Sequence, residues 1–197
     1  YINRLKLFWF DDLKNYTNEN STVLSSIRKQ IEREWMEWEL NHIETDSLDL
    51  LVCEEILKEQ VKEDLNPLPS EDSLFLRDEI LLEGYKRLLA IASLDGLVEA
   101  SQLSRVLGGT GNEVQLMLTK IFWEEYGGGK LPYKHSSYFI NMLKECGMKT
   151  SPEAYFNLVP WEVLANINHS FLLSENKQNY LRYVGGLLYT EVSAPSS

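Results

Sequence analysis

Cysteine is almost missing from this chain. Only Cys53 and Cys146 occur in 197 residues, far apart and with no Cys-x-x-Cys spacing, which excludes the usual thiolate frameworks for zinc or an iron–sulfur cluster. Neither cysteine has the sequence context of a reactive thiolate, and no Gly-x-Ser-x-Gly elbow is present, so nucleophilic chemistry by cysteine or serine is poorly supported. Two unpaired cysteines fit a reducing cytoplasm, which is the expected location. Basic residues are also scarce: 19 Lys and Arg stand against 30 Asp and Glu, a formal charge of −11. A surface of that sign repels nucleic acid. No apolar run reaches the roughly 18 residues needed to span a membrane, and no secretory signal is visible. Convincing strands, internal repeats and low-complexity tracts are absent too.

What remains is helix. With 44% hydrophobic residues, the chain has the material for one domain with a substantial core. Helical spacing is predicted over 2–16, 22–44, 47–63, 73–107, 112–126, 133–146, 151–169 and 172–191, with 73–107 interrupted near Asp95-Gly96. The breaks fall at Asn-Glu-Asn-Ser, at Asn66-Pro-Leu-Pro-Ser70, at Gly108-Gly-Thr-Gly111 and at Gly127–Gly129. The expectation is a single helical domain over 1–197, its N-terminal helices with an aromatic face in 1–70 and its core helices in 73–191.

Residues 122–135, Phe-Trp-Glu-Glu-Tyr-Gly-Gly-Gly-Lys-Leu-Pro-Tyr-Lys-His, carry the chemistry. On the helix ending near Tyr126, Leu118, Ile121, Phe122 and Glu125 share one face, so Glu125 is expected to point inward. Glu124 follows Lys120 by four residues and reads as half of a solvated ion pair. Beyond the glycines, His135, Tyr138, Phe139, Met142 and Cys146 share a face, and Gly147 is a C-terminal stop. Two further acids occupy comparable positions: Glu99, on the face continuing through Leu103 and Val106, and Glu191, after Val184, Leu187 and Leu188. An ionised carboxylate on an apolar face costs several kcal/mol unless a cation or hydrogen bonds offset it. Taken singly, Glu99 and Glu191 could be helix-end residues reaching water, and His135 a hydrogen-bonded core residue. Taken together, the four are more economically explained by shared metal ions. Helical bundles with inward Glu and His hold paired iron or manganese, and carboxylate with imidazole suits Fe(II) and Mn(II).

Other features carry less. Gly108-Gly-Thr-Gly-Asn-Glu lacks both the Gly-Lys-Ser/Thr ending and a preceding strand, so it is a helix-breaking turn and not a phosphate loop. Trp35, Trp38 and His42 lie on one helical face and point to a core or dimer contact, with homodimerisation the expectation. His169, after Asn166 and Asn168, reads as a capping or surface group.

These residues resemble a known family, the haem-oxygenase-like di-iron oxidases and oxygenases, described broadly as iron-containing redox enzymes. The resemblance rests on Glu125-Tyr-Gly-x-Gly with His135 ten residues after the glutamate, on Glu99-Ala-Ser-Gln-Leu, and on Gly185-Gly-Leu-Leu-Tyr-Thr-Glu191. It covers roughly 75–191 and implies an all-α, haem-oxygenase-like helical bundle. Mapped by motif, the family's first four ligands become Glu99, Glu125, His135 and Glu191. Glu125 would bridge, with Glu99 and His135 on one iron and Glu191 on the other. The family's last ligand helix, with a His-x-x-x-Asp-x-x-His type motif, has no counterpart between Tyr1 and Ser197. Either the chain is part of a longer polypeptide whose remaining ligands follow Ser197, or this member has lost half the site; the first is the expectation.

The resemblance implies two Fe(II) ions, with Mn possible, and O2 as co-substrate. It also implies a small-molecule substrate, an amino acid or a derivative, undergoing N-oxygenation, desaturation or oxidative cleavage, with an external electron donor. Two alternatives stay open on the residues alone. One is a metal-free enzyme of the same fold, thiaminase-like or cofactorless, with the inward acids as general acid or base. The other is a non-catalytic helical interaction protein.

Overall fold

The structure, a computed structural model, describes residues 18, 20–43, 53–65, 67–109 and 111–193. Eight α-helices occur among them: α1 Thr22–Asn41, α2 Cys53–Leu65, α3 Glu71–Asp78, α4 Leu82–Gly96, α5 Glu113–Glu125, α6 His135–Glu145, α7 Trp161–Glu175 and α8 Tyr180–Ser193. The described residues contain no strand. The helix expected over 2–16 lies outside them, as do 44–52. By packing, the chain divides into two compact units, 1–73 with 184–197, and 74–183.

The unit 74–183 holds the densely buried residues. Leu94, Leu143 and Phe171 are almost completely enclosed, and Leu89, Leu103, Leu118, Ile167, Leu172 and Tyr183 are buried with them. Helix α4 packs against α6, and a small residue permits the approach: a Cβ on Gly96 would come 2.7 Å from the Phe139 ring. Tyr85 Oη also donates to Met142 Sδ at 3.6 Å across that contact.

Local chemistry explains the helix ends. Asn112 caps α5, its side chain accepting from Gln115 N at 2.9 Å. Helix α6 stops in a Schellman turn, where Gly147 adopts φ +68 while its N–H reaches Lys144 O and that of Met148 reaches Leu143 O, both at 2.9 Å. Gly147 is therefore the stop that the sequence suggests. Helix α1 begins at Ser21, whose side chain accepts from Leu24 N.

Two expected boundaries move. The segment 73–107 divides after Asp78 and again at Gly96, and Glu99 stands in the turn that follows α4, not on a helix. The predicted pair 151–169 and 172–191 becomes α7 and α8, with turns and a short 3-10 segment over 151–159. Pro160 is the reason: it is the N-cap of α7, and Val159 before it is extended (φ −79, ψ 122), as the residue preceding a proline tends to be. The helix then runs unbroken through His169 to Glu175, because Ile167, Phe171, Leu172 and Leu173 keep it buried. His169 is thus a half-buried mid-helix residue and not one at a helix end.

In the unit containing 1–73, α1 is amphipathic without a buried apolar stripe. Glu32 is buried and lies 4.0 Å from Arg28. Trp35 Nε1 donates to Glu39 Oε1 at 2.8 Å, and the Trp38 and His42 rings stack with centroids 4.4 Å apart while Trp38 stays exposed.

Candidate metal centre

The turn between α5 and α6 is built by glycine. Gly127, Gly128 and Gly129 have φ +62, +61 and +78, the left-handed region where an L side chain is strained. At Gly127 close approach matters as well, since a Cβ there would lie 2.4 Å from the Tyr133 carbonyl carbon and 2.5 Å from Lys134 N. The backbone just after Glu125 therefore touches the backbone just before His135, and both side chains are brought to one place. Trp123 covers this turn, with a Cβ on Gly129 coming 2.9 Å from its Cη2.

Glu99 reaches the same place from the turn after α4. Ala100 beside it has φ +63, alone among the described non-glycine residues in having a positive φ. Gln102 Nε2 donates to Asp95 Oδ1 at 3.3 Å across the turn, and Ser101 Oγ donates to Val98 O. Strain of this kind persists only where surrounding structure fixes it, and it clusters at functional sites.

Glu99, Glu125 and His135 converge: one ligand atom from each lies within 4.8 Å of the others. His135 Nδ1 is 2.8 Å from Glu125 Oε2 and 3.9 Å from Glu99 Oε1. Glu125 is well shielded, at 17% side-chain exposure. Glu99 at 44% and His135 at 45% are open on one side, so His135 lines the mouth of the cluster and does not face the core as its helical spacing suggests. Burial raises the Glu99 carboxyl above the ordinary carboxylate range; the neighbouring charges of Glu125 and Asp95 add to this, while His135 and Lys134 oppose it.

Lys134 was not singled out by sequence pattern. It occupies the N-cap of α6 without capping it, its Nζ lies 4.5 Å from the Tyr126 ring centroid and donates to Ser136 Oγ at 2.8 Å. Burial lowers its pKa, against the attraction of the Glu99 and Glu125 charges. The available signal was a lysine at a position that usually carries Ser, Thr, Asp or Asn.

Glu191 is exposed on α8, within the unit formed by 1–73 and 184–197, and the three-residue cluster forms without it. Glu124 makes the expected ion pair with Lys120 at 3.8 Å on the surface. Cys53 and Cys146 are free thiols. Gly108 and Gly109 take positive φ in a turn, in keeping with a helix break. No helix among the described residues is long and apolar enough to cross a membrane.

Two carboxylate oxygens and one imidazole nitrogen within 4.8 Å of one another form the hard, mixed donor set that Fe(II) or Mn(II) prefers, so the residues fit such an ion. Comparison with known proteins points the same way. Nitrosourea synthase from Streptomyces achromogenes subsp. streptozoticus is 33% identical over 99 residues, which is 50% of this chain and 21% of that protein. The matched part thus spans about a fifth of the relative's length. The family described as iron-containing redox enzyme matches residues 86–197, a range that includes Glu99, Glu125 and His135, and its all-α, haem-oxygenase-like fold agrees with the helices described above. The chain belongs to this family of iron-containing redox enzymes.

Proposed function

We propose that the protein is an O2-dependent di-iron oxidase or oxygenase that oxidises a small metabolite, an amino acid or a derivative of one. The observation that carries the reading is the convergence of Glu99, Glu125 and His135 from a strained turn, a helix end and a helix start, within the segment shared with the iron-containing family. Glu191 is proposed as a ligand of the second ion, on the motif alone.

Iron held there supplies O2 activation. The chain's own residues do the rest. Glu125, shielded beneath the turn, and Glu99, on the open side, provide negative charge to hold divalent ions. Glycines 127–129 fix the Glu125 to His135 approach before any ion arrives, which limits reorganisation on binding. The Phe122 and Tyr126 rings, with centroids 4.3 Å apart, present apolar surface beside the cluster. The half-open faces of Glu99 and His135 give a small substrate its approach.

Nitrogen is the favoured atom of oxidation. The relative is named for making a nitrosourea, a product with an oxidised nitrogen, and the Glu125 to His135 spacing resembles that of the amine-oxygenating branch of the family. An oxygenation that places one oxygen atom in substrate and releases the other as water consumes two electrons that O2 and a two-electron substrate oxidation do not supply. An external reductant is therefore part of the proposal.

The test is an iron count on the full-length protein loaded anaerobically with Fe(II). Two irons per chain are expected in wild type, with both Glu125→Ala and His135→Ala losing metal and Glu191→Ala losing one ion. Iron no higher than background in wild type would sink the reading. Given loading, O2 uptake is then measured against a panel of free amino acids.

A further inference from the structure

Glu99 differs from the other two residues of the cluster in how it is held. Glu125 ends α5 and His135 begins α6, and the close approach at Gly127 joins them directly. Glu99 instead stands in the turn after Gly96, just before Ala100 with its positive φ. The direction of its carboxylate therefore depends on what fixes that turn.

The turn is anchored on both sides. Before it, the end of α4 is set against α6, where a Cβ on Gly96 would come 2.7 Å from the Phe139 ring. After it, the buried Leu103 opens the short 3-10 segment Leu103–Arg105. A side-chain bond joins the two anchors: Asp95, on the final turn of α4, accepts from Gln102 Nε2 at 3.3 Å. Gln102 is itself buried, at 8% exposure, and a buried amide is costly to leave unpaired. Inside the loop that this bond closes, Val98 N reaches Asp95 O at 2.8 Å and Ser101 N reaches Val98 O at 3.1 Å, while Ser101 Oγ donates to the same carbonyl. Glu99 sits at the middle of the loop, four residues after Asp95 and three before Gln102.

We infer that Gln102 is a positioning residue of the metal centre: by donating to Asp95 it closes the 95–102 loop, keeps Ala100 in its left-handed state and so holds Glu99 beside Glu125 and His135. This rests on the metal-centre reading and goes beyond it, because it assigns part of the metal affinity to a residue that is not one of the three converging side chains. The bond from an amide to a carboxylate is charge-assisted. Its removal lets the strain at Ala100 relax and carries Glu99 with it. Partners that orient a ligand without contacting the ion are worth about ten- to a hundredfold in metal affinity.

The experiment titrates full-length protein calorimetrically with Mn(II), a divalent probe that needs no anaerobic handling. Wild type is compared with Gln102→Leu and with the exchanged pair Asp95→Asn/Gln102→Glu. All three carry the same formal charge, so the comparison isolates the bond. Leucine fills the buried position and donates nothing, whereas in the exchanged pair the asparagine amide donates to the glutamate carboxylate and restores the bond in the opposite direction. Gln102→Leu is expected to bind Mn(II) about tenfold more weakly, and the exchanged pair to return near wild type. Wild-type affinity in Gln102→Leu overturns the inference and leaves the metal centre standing; wild type that binds no Mn(II) overturns both. An exchanged pair that keeps the wild-type urea midpoint but binds as weakly as Gln102→Leu also overturns it. A cycle with Glu99→Gln separates positioning from general destabilisation. Removing the Gln102 donor is expected to cost little further affinity once Glu99 is replaced, and equal losses in both backgrounds overturn the inference. A second arm needs no metal: the Ser101 amide is expected to exchange faster in Gln102→Leu than in wild type while α5 amides keep their rates. Unchanged Ser101 exchange overturns the inference whatever the titration gives.

Discussion

At the scale of single residues, the site depends on two unusual states, one of backbone and one of charge. Ala100 holds φ +63 immediately after Glu99, and a left-handed alanine costs on the order of 1–2 kcal/mol, offset in part if glycine's greater freedom must be restrained instead. Ala100→Gly is expected to raise stability by up to about 1 kcal/mol, and Ala100→Val to lower it and weaken Mn(II) binding by displacing Glu99; urea midpoints and titration check both. The charge state concerns Glu99 itself, whose carboxyl is raised first by burial and then by the Glu125 charge. Its folded value lies above the unfolded one, so between the two the folded state binds more protons and this group's contribution to stability falls as pH rises. Metal binding needs the carboxylate and so runs the other way. In metal-free protein the midpoint difference between wild type and Glu99→Gln should move against wild type as pH is raised through that window. In wild type, Mn(II) affinity should begin to fall at a higher pH than for an ordinary carboxylate. A pH-independent difference between wild type and Glu99→Gln contradicts the assignment.

At the scale of elements, the α5–α6 turn is the part least open to substitution. A Cβ on Gly127 would collide with backbone on both sides of the Tyr133–Lys134 peptide, in a left-handed conformation that already disfavours alanine. Gly127→Ala should cost roughly 2 kcal/mol or more and reduce metal affinity as well, since the same approach sets the Glu125 to His135 distance. Chemical denaturation with a parallel titration checks this; a fully stable variant with wild-type affinity would contradict it. Much of this element was legible in the sequence. Helical period put Glu125 inward, where it is shielded, but it put His135 inward too, whereas that side chain is 45% exposed, because the glycine turn and not the helical period decides which way the start of α6 faces. Glu99 lies beside Glu125 and His135 but in a turn, where its spacing suggests a helix, since nothing local announces that alanine will turn left-handed after Gly96. The α7 boundary was missed for a related reason: burial of Phe171 and Leu172 is a tertiary fact, and it carries the helix past the asparagines that resemble an end.

At the scale of the whole molecule, Glu99, Glu125 and His135 all fall within 74–183, the unit that also holds Leu94, Leu143 and Phe171. An ion that binds only the folded state stabilises it by mass action, about 2.7 kcal/mol when free metal is a hundredfold above its dissociation constant. The thermal midpoint should therefore climb with Mn(II) concentration, and amide exchange should slow first in α4, α5 and α6. Slowing that extends into 184–193 would support Glu191 as a further ligand, whereas a midpoint independent of metal would contradict a folded-state site. Trp123 adds something of practical use. Its indole rests on Gly128 and Gly129, the backbone that joins Glu125 to His135, while its outer face meets solvent. Any ion that tightens the spacing of those two side chains must tug on the peptide planes beneath that ring, so the chain carries its own fluorescent gauge of occupancy, readable with no dye, no substrate and no turnover.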